Sequence, residues 1–140
     1  VENVWPESVR ILLAEDNAVN QLVANGMLAQ FGLSADIARN GCEALSMLKS
    51  TSTGQGYSLV LMDCQMPEMD GYEATRQIRS GEAGAHSENV SIIAMTANSM
   101  AGDREKCIAS GMDDYLAKPI EAEQLDRMLR KWLPSKVHTS

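Results

Sequence analysis

Five short strand-like runs recur along this chain, and a helix-periodic segment follows each one. The runs occupy residues 9–14 (VRILLA), 34–38 (SADIA), 59–62 (LVLM), 90–95 (VSIIAM) and 112–117. After the first, Val19, Leu22, Val23, Gly26 and Met27 fall on one helical face, and Gly32 ends the helix. Asn40 is placed to cap a second helix with the inner face Gly41, Ala44, Leu45 and Leu48. A third runs from Gly71 to about Arg79, a fourth over 99–110 is closed by Gly111, and a fifth spans 121–133. In the fifth, Leu125, Met128, Leu129 and Trp132 stand at helical spacing. Residues 50–56 and 80–89 read as loops.

Strict alternation of continuous apolar strands with helices implies a parallel sheet covered on both faces. Right-handed crossovers then make an α/β doubly wound sandwich the natural solution, with five helices around five strands. Among doubly wound orders, 2-1-3-4-5 suits five strands of this length, although periodicity alone does not fix it. The 140 residues amount to one domain. It is expected to span 9–133, with 1–8 a flank or linker and 134–140 a tail.

The ends of these runs are chemically loaded. The first delivers Glu15 and Asp16, the third Asp63, the fourth Thr96 and the fifth Lys118. A parallel sheet brings all its C-terminal strand ends to one edge, where open α/β folds form their ligand crevice. Three carboxylates, a hydroxyl and an ammonium should therefore meet. Crowded carboxylates are relieved by raised pKa values or by a cation. Carboxylates, water and a loop carbonyl, here that of Gln65, are the ligands magnesium prefers. Lys118 can pair with Asp63 and then hold a phosphoryl oxygen, and Thr96 can donate to a second. Asp63 is placed as the in-line nucleophile of a phosphoryl transfer, forming an acyl phosphate.

Several alternatives lose ground. Nucleotide sites in such folds use a Gly-rich or hydroxyl-rich first loop, and this one reads AEDNA. There is no Walker lysine motif, nucleophile elbow or paired Cys/His set. A formal charge of −7 disfavours direct binding to nucleic acid or anionic lipid and suits a cation or a basic partner. No apolar run approaches the ~20 residues that span a bilayer. Cys42, Cys64 and Cys107 read as small buried apolar residues in a reducing cytosol. A magnesium-dependent phosphatase with an aspartyl intermediate normally has an acid/base carboxylate two residues after the nucleophile; here that position is Gln65.

Four segments carry a resemblance: LLAEDN at 12–17, LMDCQMPEMDG at 61–71, AMTAN at 94–98 and GMDDYLAKPI at 111–120. In this order and spacing they closely resemble the receiver domain of two-component response regulators, over about 9–133. The resemblance implies a flavodoxin-like receiver fold with Asp63 as phosphoacceptor. It implies magnesium, with manganese as a substitute, on Asp16, Asp63 and the Gln65 carbonyl, with Glu15 acting largely through water. Thr96 and Lys118 would engage the phosphoryl group, Tyr115 would be the aromatic switch, and the Lys118–Pro119 bond would be cis. The segments are most similar to receivers of hybrid sensor histidine kinases, with a single-domain response regulator as the alternative. The donor would be a phosphohistidine on a kinase or on a histidine phosphotransfer domain, and the setting cytoplasmic. Such a domain promotes its own phosphorylation and dephosphorylation without being a conventional turnover enzyme, although a full-length hybrid protein would be a histidine kinase.

Overall fold

The apolar runs pair as one parallel sheet in the order β2-β1-β3-β4-β5. The structure is a computed structural model and describes residues 9–50, 56–97 and 101–133. Its strands are β1 (Ile11–Ala14), β2 (Ala35–Ala38), β3 (Leu59–Asp63), β4 (Ser91–Thr96) and β5 (Asp114–Ala117). Its helices are α1 (Ala18–Gln30), α2 (Gly41–Lys49), α3 (Gly71–Arg79), α4 (Ala101–Ser110) and α5 (Ala122–Trp132). The expected flank, the tail, loop residues 51–55, and the expected helix start at Ser99 lie outside the described residues.

Alternate side chains of each central strand supply opposite faces of the sheet. Ile11, Leu13, Leu59, Leu61, Ile93 and Met95 pack with Ala24 and Leu28 of α1 and Leu125 and Leu129 of α5. Leu12, Ala14, Val60, Met62, Ile92 and Ala94 pack under α2, α3 and α4, against Ala44, Leu48, Ile78 and Cys107. These strands have no solvent face, which is why they read as unbroken apolar runs.

The helix ends follow local chemistry. The side-chain oxygens of Asn17, Asn40 and Asp70 each accept from the backbone N–H three residues on, capping α1, α2 and α3. Gly32 and Gly111, at φ of 78° and 109°, take the left-handed turns that close α1 and α4. The loop at 80–89 contains a 3-10 turn over Ala85–Ser87 that periodicity is too short-ranged to reveal.

Three expectations need correction. Of the apolar stripe of α1, Met27 is half-buried and packs on the core, but Val19, Leu22 and Val23 are 65%, 75% and 46% exposed, and Gly26 is also exposed. The buried residues of α1 are Ala24 and Leu28, because the helix lies on the sheet by its next face around. Cys42 is exposed on α2, whereas Cys64 and Cys107 are buried. Finally, β5 begins at Asp114 and not at residue 112, because the Asp113 carboxylate accepts the Ile92 N–H at 2.8 Å and the Arg79 guanidinium at 2.9 Å. Arg79 also donates to the carbonyls of Gly111, Glu88 and Val90, tying the end of α3 to both neighbouring loops.

Candidate functional site

The C-terminal edge of the sheet collects the residues singled out from the sequence. Glu15 follows β1, and its N–H bonds to the Ala38 carbonyl at 2.9 Å, fixing the first loop against β2. Asp63 ends β3, paired with Met95. Thr96 ends β4, and its carbonyl accepts the Lys118 N–H at 2.8 Å, so the exit of β5 is drawn to the same edge. The Lys118–Pro119 bond is cis.

One carboxylate oxygen from each of Glu15, Asp16 and Asp63 lies within 4.8 Å of the others. Lys118 Nζ stands 2.8 Å from Glu15 Oε1 and 3.2 Å from Asp63 Oδ1. Glu15 and Asp63 are buried, at 1% and 4% exposure, and Asp16 is open to solvent. The ammonium thus sits between two buried acids and is closer to Glu15 than to Asp63, the partner anticipated from the sequence.

The electrostatics are unbalanced. Burial, then a hydrogen bond to Glu15 and its charge, push the Asp63 carboxyl up to about 7, against the opposing pull of the Gln65 N–H and Lys118. Burial would also raise Glu15, but hydrogen bonds to Asp63 and Lys118 outweigh it and hold Glu15 below its usual range. Burial would lower Lys118; the Glu15 hydrogen bond and the two acidic charges win and raise it. Of the two buried acids, Asp63 is thus pushed towards its neutral form and Glu15 towards its charged form. Once Asp63 gives up its proton, three carboxylates against one ammonium leave two negative charges, matching one divalent cation. The cluster is all oxygen, which suits a hard cation such as magnesium.

The surroundings set the position of Asp63. Gly71 opens α3 directly against it: a Cβ on Gly71 would overlap the Asp63 carbonyl oxygen. Gln65 N–H donates to Asp63 Oδ1 at 3.2 Å. Gln21, one turn into α1, donates to the Glu15 carbonyl at 2.7 Å, a support that no sequence pattern marked. On the outer side, Asp16, Gln65, Asp70, Tyr72 and Lys106 line an open groove. Tyr115 is half-buried on β5, paired with Ala94, and the Arg104 guanidinium carbon lies 5.8 Å from its ring centroid.

Comparison with known proteins bears directly on this edge. The sequence pattern of the response regulator receiver domain matches residues 11–130. The chain belongs to that family. This receiver domain is 44% identical over 133 residues to hybrid signal transduction histidine kinase B of Dictyostelium discoideum, a match covering 89% of the chain and 7% of that protein. It is also 44% identical to the crystallised receiver domain of a Pseudomonas aeruginosa sensor histidine kinase that has a magnesium ion coordinated in its active-site cleft. There the TM-score is 0.77, with 89% of this chain and 96% of the other covered. The receiver domain of a Saccharomyces cerevisiae response regulator, co-crystallised with a histidine phosphotransfer protein, is 33% identical with a TM-score of 0.79, covering 92% and 90%. Across the curated relatives the receiver domain spans only 7–16% of their length. No helix among its described residues is long and apolar enough to cross a membrane.

Proposed function

We propose that this receiver domain, spanning 9–133, accepts a phosphoryl group from a phosphohistidine onto Asp63 in a magnesium-dependent reaction. The convergence of Glu15, Asp16 and Asp63 around the Lys118 ammonium carries the reading. An Asp63 oxygen attacks phosphorus in line, the phosphorus–nitrogen bond breaks, and the imidazole leaves with the bonding electron pair. Glu15, Asp16, Asp63 and the Gln65 carbonyl would hold the cation. When bound, magnesium supplies the positive charge that Lys118 alone cannot, and manganese serves in its place. Lys118 donates to one phosphoryl oxygen and the Thr96 hydroxyl to another. Tyr115 follows Thr96 and shifts the surface of β4, α4 and β5 between two packings.

The exposed stripe on α1 supports a helical donor docking beside the acid site. Val19, Leu22 and Val23 present apolar surface that a soluble domain has no intramolecular use for. Val23 also borders a cleft of about 100 Å³ shared with Asn20, Glu15, Lys118, Pro119 and Ile120, which reaches the acids from this side. A histidine phosphotransfer domain, or the kinase's own phosphohistidine helix, fits that surface. We place the domain within a cytoplasmic hybrid sensor histidine kinase.

Two measurements test the proposal. Intact-protein mass after incubation with magnesium and a small phosphodonor should rise by one phosphoryl group, and Asp63→Asn should abolish the gain. Leu22→Glu should slow transfer from a phosphohistidine protein about 10-fold or more while leaving small-donor phosphorylation intact, the pattern of a lost interface anchor. A gain that survives Asp63→Asn, or equal slowing with both donors, defeats the corresponding part.

A further inference from the structure

Residues 65–69 cross the mouth of the acid site between β3 and α3. Both ends are fixed: Cys64 N–H donates to the Met95 carbonyl at 3.0 Å, and Gly71 N–H to the Cys64 carbonyl at 3.1 Å. Within the crossing, backbone hydrogen bonds are local, from Gln65 N–H to Asp63 Oδ1 at 3.2 Å and from Met69 N–H to the Pro67 carbonyl at 2.7 Å. Glu68 stands at φ 67°, the left-handed region that a residue with a long side chain rarely adopts. Such a turn persists only where its surroundings hold it.

The hold comes from the start of α2, on the far side of β3 in the chain. Asn40 Nδ2 donates to Glu68 Oε2 at 3.1 Å. Gly41 N–H donates to the Met69 carbonyl at 3.2 Å. The approach is so close that a Cβ on Gly41 would lie 2.8 Å from the Met69 oxygen and 2.9 Å from Met69 Cγ. The Asn40 amide is oriented by its other duty: Oδ1 accepts the Glu43 N–H at 2.8 Å as the α2 cap, so the amino group turns towards Glu68. Two adjacent residues thus grip the crossing at its strained residue and at the next.

We propose that Asn40 and Gly41 are positioning residues for the divalent-cation site: they hold residues 65–69 where the Gln65 backbone faces Asp63, and so set how tightly the acid cluster retains magnesium. The inference rests on the phosphoacceptor reading of Asp63. Neither residue touches the reacting atoms. They act through the loop, as outer groups that orient metal ligands do.

The two duties of Asn40 can be separated. Asn40→Asp keeps an acceptor for Glu43 N–H, and its charge suits a helix N-terminus. It removes the donor to Glu68 and sets two carboxylates against each other. Adding Glu68→Gln restores a donor and the original net charge. The extra negative charge of Asn40→Asp would by itself draw a cation in, so weaker binding in that variant can only come from the displaced loop. The test is magnesium titration by calorimetry, beside thermal melting in chelator. Asn40→Asp and Gly41→Ala should each weaken magnesium binding about three- to tenfold, up to the lower end of outer-group effects because they act through the loop and touch no ligand directly. Asn40→Asp should melt as wild type does, and Asn40→Asp with Glu68→Gln should regain wild-type affinity. Unchanged affinity in folded Asn40→Asp overturns the proposal. So does an affinity loss matched by a lower melting temperature and not recovered in the double variant. If wild type takes up neither magnesium nor a phosphoryl group, the phosphoacceptor reading falls and takes this one with it. If wild type does both and Asn40→Asp binds magnesium equally well, only the positioning role falls.

Discussion

The two edges of the sheet each gather ionisable groups, and they resolve them in opposite ways. At the N-terminal edge, Arg10 meets Asp36 at 3.2 Å, the Tyr57 hydroxyl donates to the same carboxylate at 2.7 Å, and the Arg10 guanidinium lies 4.6 Å from the Tyr57 ring centroid. In this trio one cation faces one anion, the groups are half open to water, and the result is a clamp across β1, β2 and the approach to β3. Burial, then the hydrogen bond and charge of Asp36, push Tyr57 up to about 12, so its proton stays put at any physiological pH. At the C-terminal edge, the acids outnumber the one amine, two are fully buried, and Asp63 is left titrating near neutrality. A balanced cluster staples a fold; an unbalanced one is poised for a cation and an anion that arrive later.

The sharpest break in this contrast is Lys118→Met. Loss of the ammonium should slow phosphorylation of Asp63 by about 100-fold, as measured by the rate of mass gain, because a donor aimed at developing phosphoryl charge disappears. An equal slowing in Arg10→Met would erase the distinction between the edges.

A second effect is thermodynamic. The folded Asp63 carboxyl sits at about 7, above its ordinary 3.8, so its stabilising contribution is fully present below 3.8 and is lost as pH rises through 7. Urea unfolding of the metal-free domain should therefore show about 3 kcal/mol less stability at pH 8 than at pH 5, at roughly 1.4 kcal/mol per pH unit up to the folded value of about 7. Asp63→Asn should flatten this slope, and saturating magnesium should restore wild-type stability at pH 8. Glu15, whose carboxyl is held low, contributes in the opposite sense and only below this window. A slope unchanged by Asp63→Asn would place the titrating charge elsewhere.

The smallest effect belongs to the balanced edge. Tyr57→Phe removes one part-exposed hydroxyl from Asp36 and should cost about 1 kcal/mol or less by urea unfolding. It should leave both the magnesium affinity and the phosphorylation rate as they are, and a change in either would show that the edges communicate.

Much of this architecture was legible in the sequence because the strands are buried on both sides and end in polar groups. Runs such as LVLM ending in Asp63, and VSIIAM ending in Thr96, gave both the sheet and the site edge. The α5 stripe was read correctly: Leu125 and Leu129 are buried, with Met128 and Trp132 half-buried. The same spacing misled in α1, since periodicity reports an apolar stripe but not which body it faces, and Leu22 turned outward. Nothing in the sequence marked Gln21 on the Glu15 carbonyl, Asn40 on Glu68, or the four bonds of Arg79. Those contacts join segments whose relative placement exists only after the strands are paired.

The hydrogen bond from Lys118 to Glu15 closes a span of 103 residues. A partly unfolded domain therefore contains Asp63 but not the site: the amine that steadies it follows β5, the fifth strand of the sheet in chain order. If Asp63 is the phosphoacceptor that we propose, chemical competence is gated by completion of the whole sheet. By mass action, any ion captured at this edge tightens the entire domain, because it binds only the completed form.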